Sequence, residues 1–519
     1  MRSVKILALA FAALPALACA QSLPKPDRGG VPDSELYDYG VMGPPATPAI
    51  VEAARAAVAL PPVKGPFAPT WESIAKHYQT PAWFGDAKFG IFMHWGVYSA
   101  AAHHNEWYEK HMYAADRAWH AQNFGPQERV GYKDLIPLFT AARWNPDDWA
   151  ALFKAAGARF VMPTAQHHDN FALWDSKVTP FNAKRMGPKR DLIGDLAAAV
   201  RRKGMKFGVS NHGVENFTFI NPVPELNDRL KAAKADLYDP AWGSFYNVAD
   251  RSPAAMTRFL TDWVDRNVEL IDKYKPDILW FDNGANLRVL DPLKTQVAAY
   301  YYNRARQWGK PVSISTKFVA YAPSNDDKKQ IGSIVDFEKV GKRSPPDIRP
   351  GPWMVDDTIG STWGYTEGMS VAGPGAILAR LIDTVAKNGT YLLNIAPKAD
   401  GTIPENQRDT LLGIGRWLQA NGEAIYGTRP WMKFGEGGAD GVRFTRRGRS
   451  VYAIALSWPG RELAISSLGS QAGRITRVEL LGQRQPLRFT QDAGGLRIVL
   501  PAQKPAGLDH AYSFRITGL

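Results

Sequence analysis

The sequence predicts an α/β protein in which a (β/α)8-like, TIM-type barrel is followed by a C-terminal antiparallel β-sandwich. Three observations predict this fold class: short apolar strands alternate with amphipathic helices, polar or ionisable residues end those strands, and short strands with Gly, Pro and polar turns follow Gly427. Alternation with helices is typical of parallel strands, whose carboxyl ends meet on one side of the fold. The change after Gly427 indicates a second, smaller domain.

The first 20 residues predict a secretory signal peptide. Arg2 and Lys5 precede an apolar stretch, and Ala18-Cys19-Ala20 fits a small-residue cleavage site. Cys19 is the only cysteine, so cleavage after Ala20 leaves a mature protein without disulfides. We therefore expect an exported protein, periplasmic or secreted, with lipid anchoring through Cys19 as the alternative. No later stretch approaches the roughly 18 continuous apolar residues of a membrane span.

Three further segments follow the signal. Residues 21–68 are rich in Pro, Gly and Ala without a sustained period, which predicts an irregular N-terminal extension. Residues 69–426 carry the alternating strands and helices of the barrel, and residues 427–519 carry the strands of the sandwich. The formal net charge of +13 arises from dispersed cations without a long basic run, so nucleic acid is not a predicted partner.

Apolar runs place seven strands of the barrel. They are Phe89–Met93, Arg159–Pro163, Met205–Val209, Asp277–Phe281, Val312–Ser315, Ile334–Val335 and Tyr391–Leu393. The fourth run leads directly into Asp282, and Asn283-Gly284 supplies a turn. Because barrel enzymes carry their catalytic groups at the carboxyl ends of strands, Asp282 is a candidate nucleophile or general base, and a turn-capping aspartate is the alternative.

Histidines follow the first three of these strands and are expected to face one barrel mouth: His94, His167, His168 and His212. Neutral imidazoles near Trp95, Glu106 and Trp107 suit the hydroxyl groups and C–H faces of a sugar. A zinc site is the alternative, but the chain has no HExxH motif, and adjacent histidines rarely chelate one ion together. No metal and no other cofactor is therefore predicted.

The carboxylates at two strand ends indicate the reaction class. Neither a GxSxG elbow nor a Walker A loop is present, which leaves lipase-like acyl transfer and P-loop phosphoryl transfer without support. Asp282 and Glu338 provide the two carboxylates that glycoside hydrolysis requires at a minimum.

Six segments together resemble the α-L-fucosidases of glycoside hydrolase family 29. In the order of that family they are Phe89–Gly96, Asn105–Tyr108, His167–Trp174, Asp277–Asp282, Trp363–Tyr365 and Gly389–Pro404. The resemblance covers Trp71 to Tyr426 and is followed by the β-sandwich expected of the family. It implies a retaining, exo-acting hydrolase whose substrate is a fucosylated oligosaccharide or glycoconjugate.

The resemblance also implies residue roles. Asp282 matches the nucleophile, and further residues match the lining of the fucose pocket: His94, Glu106, Trp107, His167, His168 and Trp363. Where the family often has a tyrosine after the third strand, Asn211 or His212 stands here and is expected to take that polar role. Where many members have an arginine after the fifth strand, Lys317 stands, which keeps the charge and lacks the bidentate fork.

Glu338 is the predicted general acid/base, with Asp336, Asp356 and Asp357 as alternatives. The non-catalytic interpretation of Glu338 is an ion pair with a basic neighbour. Two other functions stay open at this point: a retaining glycosidase for a related sugar such as galactose, and a non-catalytic carbohydrate-binding protein. Linkage preference and oligomeric state are not predicted, since the loops that decide them have no readable shape in the sequence.

Overall fold

The computed structural model describes residues 46–317, 320–323, 329–339, 344–483, 485–505 and 509–518. The predicted signal peptide, Cys19 and residues 21–45 of the predicted extension lie outside the described residues. Among the residues that are described, no helix is long and apolar enough to cross a membrane.

Eight parallel strands form a closed barrel in chain order. They are β1 (Phe89–Met93), β2 (Phe160–Gln166), β3 (Lys206–Asn211), β4 (Ile278–Phe281), β5 (Ser313–Lys317), β6 (Ser333–Asp336), β7 (Trp353–Thr358) and β8 (Gly389–Ile395). Closure is made at β1, where Ile91 lies opposite Val161 of β2 and Leu393 of β8. The predicted fold class is confirmed, although β7 was not among the seven predicted strands.

The interior of the barrel is a packed apolar core beneath the strand ends. Its fully buried members come from several strands and include Phe92, Met162, Trp280, Met354 and Leu392. Phe92 and Trp280 lie at the top of this layer, since their rings contact those of His94 and His212 at centroid distances of 4.8 and 4.9 Å. The core therefore supports the histidines from below.

Helices surround the barrel and connect its strands. They are α1 (Pro48–Ala57), α2 (Trp71–His77), α3 (Ala82–Ala87), α4 (Tyr108–His111), α5 (Arg117–Asn123), α6 (Pro146–Ala155), α7 (Leu192–Arg202), α8 (Pro224–Ala232), α9 (Gly243–Tyr246), α10 (Pro253–Tyr274), α11 (Asp291–Gln307), α12 (Pro374–Ala386) and α13 (Glu405–Asn421). The longest, α10, begins at the Ser252-Pro253 cap, where the Ser252 hydroxyl accepts a hydrogen bond from the Ala255 N–H. It connects β3 to β4 and so packs behind the strand ends that carry His212 and Asp282.

The expectation of an irregular segment before residue 68 is wrong only for Pro48–Ala57, which form α1; residues 46–47 and 58–68 form no helix or strand. Thr47 caps this helix by accepting from the Ile50 N–H, and Pro48 opens it. Only Val51 and Ala54 are buried, so the apolar stripe is too narrow to produce the sustained period on which a sequence-based prediction depends.

Two antiparallel sheets follow the barrel. The strands are β9 (Arg429–Glu436), β10 (Val442–Arg447), β11 (Ser450–Ala455), β12 (Glu462–Ile465), β13 (Arg477–Leu480), β14 (Phe489–Asp492), β15 (Gly495–Val499) and β16 (Tyr512–Thr517). One sheet has the order β13-β16-β11-β10-β9 and the other β12-β15-β14. Phe444 and Phe514 of the first sheet share a core with Ile465 and Ile498 of the second, as in a sandwich.

Candidate active site

Asp282 lies at the carboxyl end of β4 among hydrogen-bond donors. Its Oδ1 accepts the Asn283 N–H at 2.7 Å, and its Oδ2 lies 2.9 Å from Nδ1 of His212 and 3.7 Å from Nε2 of His168. The turn-cap interpretation and the catalytic interpretation therefore both describe real contacts: one oxygen caps the turn, and the other faces the histidines. A carboxylate held in this way keeps a fixed direction, as an attacking group requires.

Lys317, the last residue of β5, joins three carboxylates. Its Nζ lies 3.2 Å from Oδ1 of Asp282, 3.5 Å from Oε2 of Glu338 and 3.8 Å from Oδ2 of Asp356. The separation of the Asp282 and Glu338 oxygens cannot exceed the sum of the first two distances. A separation within this bound is compatible with the roughly 5–5.5 Å of a retaining pair.

The pKa of Asp282 is shifted strongly. Burial would raise this pKa, but the charge of Lys317 and the hydrogen bond from His212 outweigh burial and hold it well below its ordinary value. Asp282 is therefore ionised across the physiological pH range. A carboxylate that stays ionised is suited to nucleophilic attack.

Four imidazoles line the space beside Asp282. The ring of His167 lies 5.3, 4.3 and 4.8 Å from the rings of His94, His168 and His212. Burial lowers the pKa of all four histidines, to about 3 for His168, and mutual repulsion lowers it further for His94 and His167. Neutral imidazoles can both donate and accept hydrogen bonds, which suits sugar hydroxyls.

The wall opposite the histidines is formed by Glu106 and Trp363. Oε2 of Glu106 accepts the N–H groups of Trp363 and Gly364, each at 3.2 Å, so this carboxylate fixes the loop that carries the indole. The Trp363 ring lies 5.1 Å from the His94 ring, and Nζ of Lys317 lies 5.3 Å from its centroid. Trp107 lies further out, 6.4 Å from the His168 ring.

The four acid/base candidates differ in access and in partners. Asp357 pairs with Arg380 at 3.2 Å and faces away from Lys317. Both oxygens of Asp336 are used, one by the Trp280 indole N–H at 2.7 Å and one by the Asp356 N–H at 2.9 Å. The Asp356 side chain is 1% exposed, whereas that of Glu338 is 17% exposed. Glu338 is the most accessible of the candidates that reach Lys317.

Comparison with known proteins decides the family. A family model described as alpha-L-fucosidase matches residues 55–423, and one described as the alpha-L-fucosidase C-terminal domain matches residues 437–517. The chain belongs to the α-L-fucosidase family.

Relatives in this family match over most of their length. The tissue α-L-fucosidase of Bos taurus is 32% identical to the chain, and the match covers 89% of the chain and 95% of the bovine protein. The tissue α-L-fucosidase of Homo sapiens is also 32% identical, and that match covers 87% of the chain and 92% of the human protein. Among solved structures, the Thermotoga maritima α-fucosidase in complex with fucose is 31% identical, covers 86% of this chain and 99% of its own, and has a TM-score of 0.68.

Asn211 or His212 was expected to take the polar role that a tyrosine often has after β3 in α-L-fucosidases. Of these two residues, the structure brings only His212 to Asp282. The Asn211 side chain points away from the histidines: its Nδ2 donates to Oδ1 of Asn267 at 3.1 Å, and its Oδ1 accepts the Gly213 N–H at 2.9 Å. The prediction that Asn211 lines the pocket is wrong. His212 lies just beyond the last residue of β3, where the chain leaves the extended conformation, so its side chain and that of Asn211 contact different groups.

Asn394 and Ser210 were not predicted as members of the site. Asn394, on β8, has its Oδ1 2.7 Å from Nδ1 of His94 and donates from Nδ2 to the Trp363 carbonyl at 2.8 Å. The Ser210 hydroxyl lies 2.9 Å from Nε2 of His212. Both residues directly follow predicted strands, and this position is the sequence signal that could have identified them.

Three groups of described residues bring potential metal ligands within 4.8 Å of one another: His94–His167–His212, His168–His212–Asp282 and His104–His111–Asp116. Both nitrogens of His212 already have hydrogen-bond partners, so a metal in either of the first two groups would have to displace one. In the third group the His104 and His111 rings stack at 3.9 Å with planes 5° apart, so their lone pairs lie in separate, nearly parallel planes and do not point at one ion. The absence of a metal stays a prediction.

Proposed function

We propose that this protein is a retaining, exo-acting α-L-fucosidase that hydrolyses terminal α-L-fucosyl residues of glycans or glycoconjugates. The observation that carries the proposal is the shared contact of Lys317 with Asp282 and Glu338, which supplies two carboxylates at short separation beside four neutral histidines. The identity of the sugar is supported by the relatives, whose names describe α-L-fucosidases, and by the Thermotoga maritima structure in complex with fucose.

The reaction is a double displacement. In the first step the Asp282 carboxylate attacks the anomeric carbon, the glycosidic C–O bond breaks, and Glu338 gives its proton to the leaving oxygen. In the second step Glu338 takes a proton from water, the water oxygen bonds to the anomeric carbon, and the bond to Asp282 breaks. Fucose leaves, and both carboxyl groups return to their starting states.

Lys317 serves both steps by its position between the carboxylates. Its charge keeps Asp282 ionised before attack and lies beside the carboxylate again when the covalent bond breaks. Because burial removes water from this site, the charge acts at a low effective dielectric and stabilises the departing carboxylate more than it would at the surface. The histidines and Glu106 bind the sugar hydroxyls.

Substitution of the two carboxylates tests the mechanism by product stereochemistry. Asp282→Gly should abolish hydrolysis of an aryl α-L-fucoside, and added azide should restore turnover with formation of the β-fucosyl azide. Glu338→Ala should spare the first step for an activated aryl leaving group, and azide should then give the α-fucosyl azide through the covalent intermediate. Asp356→Asn is the matched control for the acid/base role. Hydrolysis by Asp282→Gly at the parent rate, or the α-azide from it, contradicts the proposal.

Two rival functions are separated by substrate choice. Fucose has a methyl group at C5 where galactose has a hydroxymethyl group, so a galactose-directed enzyme would need room and a polar partner there. The parent enzyme is expected to prefer an aryl α-L-fucoside over the aryl α-L-galactoside in kcat/KM. A folded parent that binds fucose and turns over neither glycoside would instead be a non-catalytic carbohydrate-binding protein.

We also propose that the chain is exported, with cleavage after Ala20, and that the catalytic barrel spans residues 69–426 and the sandwich residues 427–519. N-terminal sequencing of the exported protein tests the cleavage, since a soluble form should begin at Gln21. A form that begins at an acylated Cys19 and partitions into detergent would support lipid anchoring.

A further inference from the structure

Two consecutive polar residues of α10, Arg266 and Asn267, are buried behind the ends of β2 and β3. Their exposed fractions are 5% and 0%. Burying a guanidinium is costly unless strong hydrogen bonds offset the loss of water. Among the described residues, no carboxylate oxygen lies within ion-pairing distance of Arg266, and its contacts are with neutral side chains. These contacts are made with the turn that carries two of the pocket histidines.

Arg266 holds both ends of the turn that carries His167 and His168. Its Nη1 donates to Oε1 of Gln166 at 3.1 Å and to Oδ1 of Asn170, and Nε2 of Gln166 also donates to Oδ1 of Asn170 at 3.0 Å. Gln166 directly precedes the histidine pair, and Asn170 ends the turn with a left-handed φ of 64°. A charged donor makes these bonds stronger than neutral ones.

The same turn is also anchored to its surroundings. Nδ2 of Asn170 donates to the carbonyls of Ser244 and Phe245, each at 2.9 Å, so its side chain joins the turn to α9 as well as to α10. Burial is the main cause that lowers the pKa of Arg266 to about 10, which leaves the guanidinium charged at neutral pH. The turn is therefore held by a permanent cation.

Asn267 holds the next strand end in a comparable way. Its Nδ2 donates to the Trp263 carbonyl at 2.8 Å, which orients the amide so that its Oδ1 can accept from Asn211 at 3.1 Å. Asn211 in turn accepts the Gly213 N–H at 2.9 Å, so these bonds enclose His212 from both sides. His212 is the residue whose Nδ1 contacts Asp282.

We propose that Arg266 and Asn267 are positioning residues for catalysis: Arg266 orients His167 and His168 toward the sugar, and Asn267 orients His212 toward the nucleophile Asp282. The inference rests on the proposed fucosidase function. It explains why a buried cation whose hydrogen bonds go to neutral amides stands behind the pocket, and it assigns Asn211 the role of a connector. The two residues act on different groups, so their loss has different kinetic signatures.

The first experiment compares Arg266→Gln, Arg266→Lys and the control Arg258→Gln. Arg258 lies on the same helix, is exposed and pairs with Asp250, away from both turns. Arg266→Gln should raise KM for an aryl α-L-fucoside and lower kcat/KM by about 100-fold, the scale expected for a small displacement of a binding group. Arg266→Lys, which keeps a charged donor, should recover part of the loss, and Arg258→Gln should match the parent.

The second experiment uses Asn267→Leu, which removes the amide at similar volume. It should lower kcat more than it raises KM and should move the acidic limb of the kcat/KM profile to higher pH, because a displaced His212 no longer stabilises the Asp282 carboxylate. Asn267→Gln, which keeps an amide, is expected to recover part of the kcat. A loss of packing alone would move the melting temperature and leave the pH profile unchanged.

The outcomes are separable. A parent without activity on the fucoside defeats the proposed function, whereas an active parent whose folded Arg266→Gln and Asn267→Leu variants stay within twofold in kcat/KM defeats only the positioning roles. If Arg266→Gln fails to fold, folded Arg266→Lys with parent-like KM overturns the role of Arg266. If Asn267→Leu fails to fold, Asn267→Gln with a parent-like kcat and pH profile overturns that of Asn267.

Discussion

His212 connects the nucleophile to β3: its Nδ1 lies 2.9 Å from Oδ2 of Asp282, and its Nε2 lies 2.9 Å from the Ser210 hydroxyl. The low pKa of both His212 and Asp282 means that the imidazole is neutral and the carboxylate ionised at neutral pH. The proton must then be on Nδ1, which donates to Asp282, while Nε2 accepts from Ser210. One neutral histidine thus holds the nucleophile in its anionic form.

Removing that donor should raise the pKa of Asp282. We expect His212→Phe to lower kcat/KM by about 10- to 100-fold, the worth of a hydrogen bond to a charged group, and to move the acidic limb of its pH profile upward. His212→Asn places an amide donor near the position of Nδ1 and should keep the limb closer to that of the parent. An unchanged acidic limb in His212→Phe would contradict the assigned hydrogen bond.

Replacing Lys317 should separate its charge from its shape. Lys317→Met removes the ammonium group that contacts Asp282, and we expect kcat/KM to fall by about 100- to 1,000-fold. Lys317→Arg keeps the charge and should retain most of the activity, since an arginine occupies this position in many proteins that the sequence resembles. Equal losses in both variants would show that side-chain shape matters more than charge.

His168 should make the protein less stable as the pH falls. Its folded pKa of about 3 lies below the roughly 6.5 of an unfolded histidine, so between these values the unfolded state binds a proton that the native state does not. Stability from this group is present above pH 6.5 and is lost on acidification, by ~2 kcal/mol between pH 7 and pH 5. The destabilisation caused by His168→Phe, measured by urea unfolding, should therefore be ~2 kcal/mol smaller at pH 5 than at pH 7. Equal values at both pH values would contradict a neutral, buried His168.

Gly213 should not tolerate a side chain. A Cβ at this position would lie 2.0 Å from Nε2 of Gln166 and 3.0 Å from Oδ1 of Asn211, the two amides that enclose the histidine-bearing strand ends. Gly213→Ala should cost about 1–3 kcal/mol of stability and should lower kcat/KM by displacing these amides. Gly243→Ala, where a Cβ meets nothing within 4 Å, is the matched control and should change neither quantity.

Much of the fold could be predicted because its strands are apolar on both faces. Seven of the barrel strands were recognised from such runs, but β7 was missed because Asp356 and Asp357 interrupt its apolar pattern. Those carboxyl groups are buried at a strand end, where they contact Lys317 and Arg380, and no local pattern predicts partners so distant in sequence. Edge strands β9 and β14 are only partly buried and carry little apolar signal, so the sequence gives weak evidence for them.

The sequence by itself determined the barrel, the family and the place of Asp282 at a strand end, since local apolar runs and motif order are properties of the chain. Only the tertiary structure decided which side chains meet. Glu338 and Asp282 contact one ammonium group although 56 residues separate them, and Asn211 turns toward α10 while its neighbour His212 turns toward the nucleophile. The physical reason is that barrel closure and the point at which β3 ends set these distances and directions, and both depend on the packing of all eight strands.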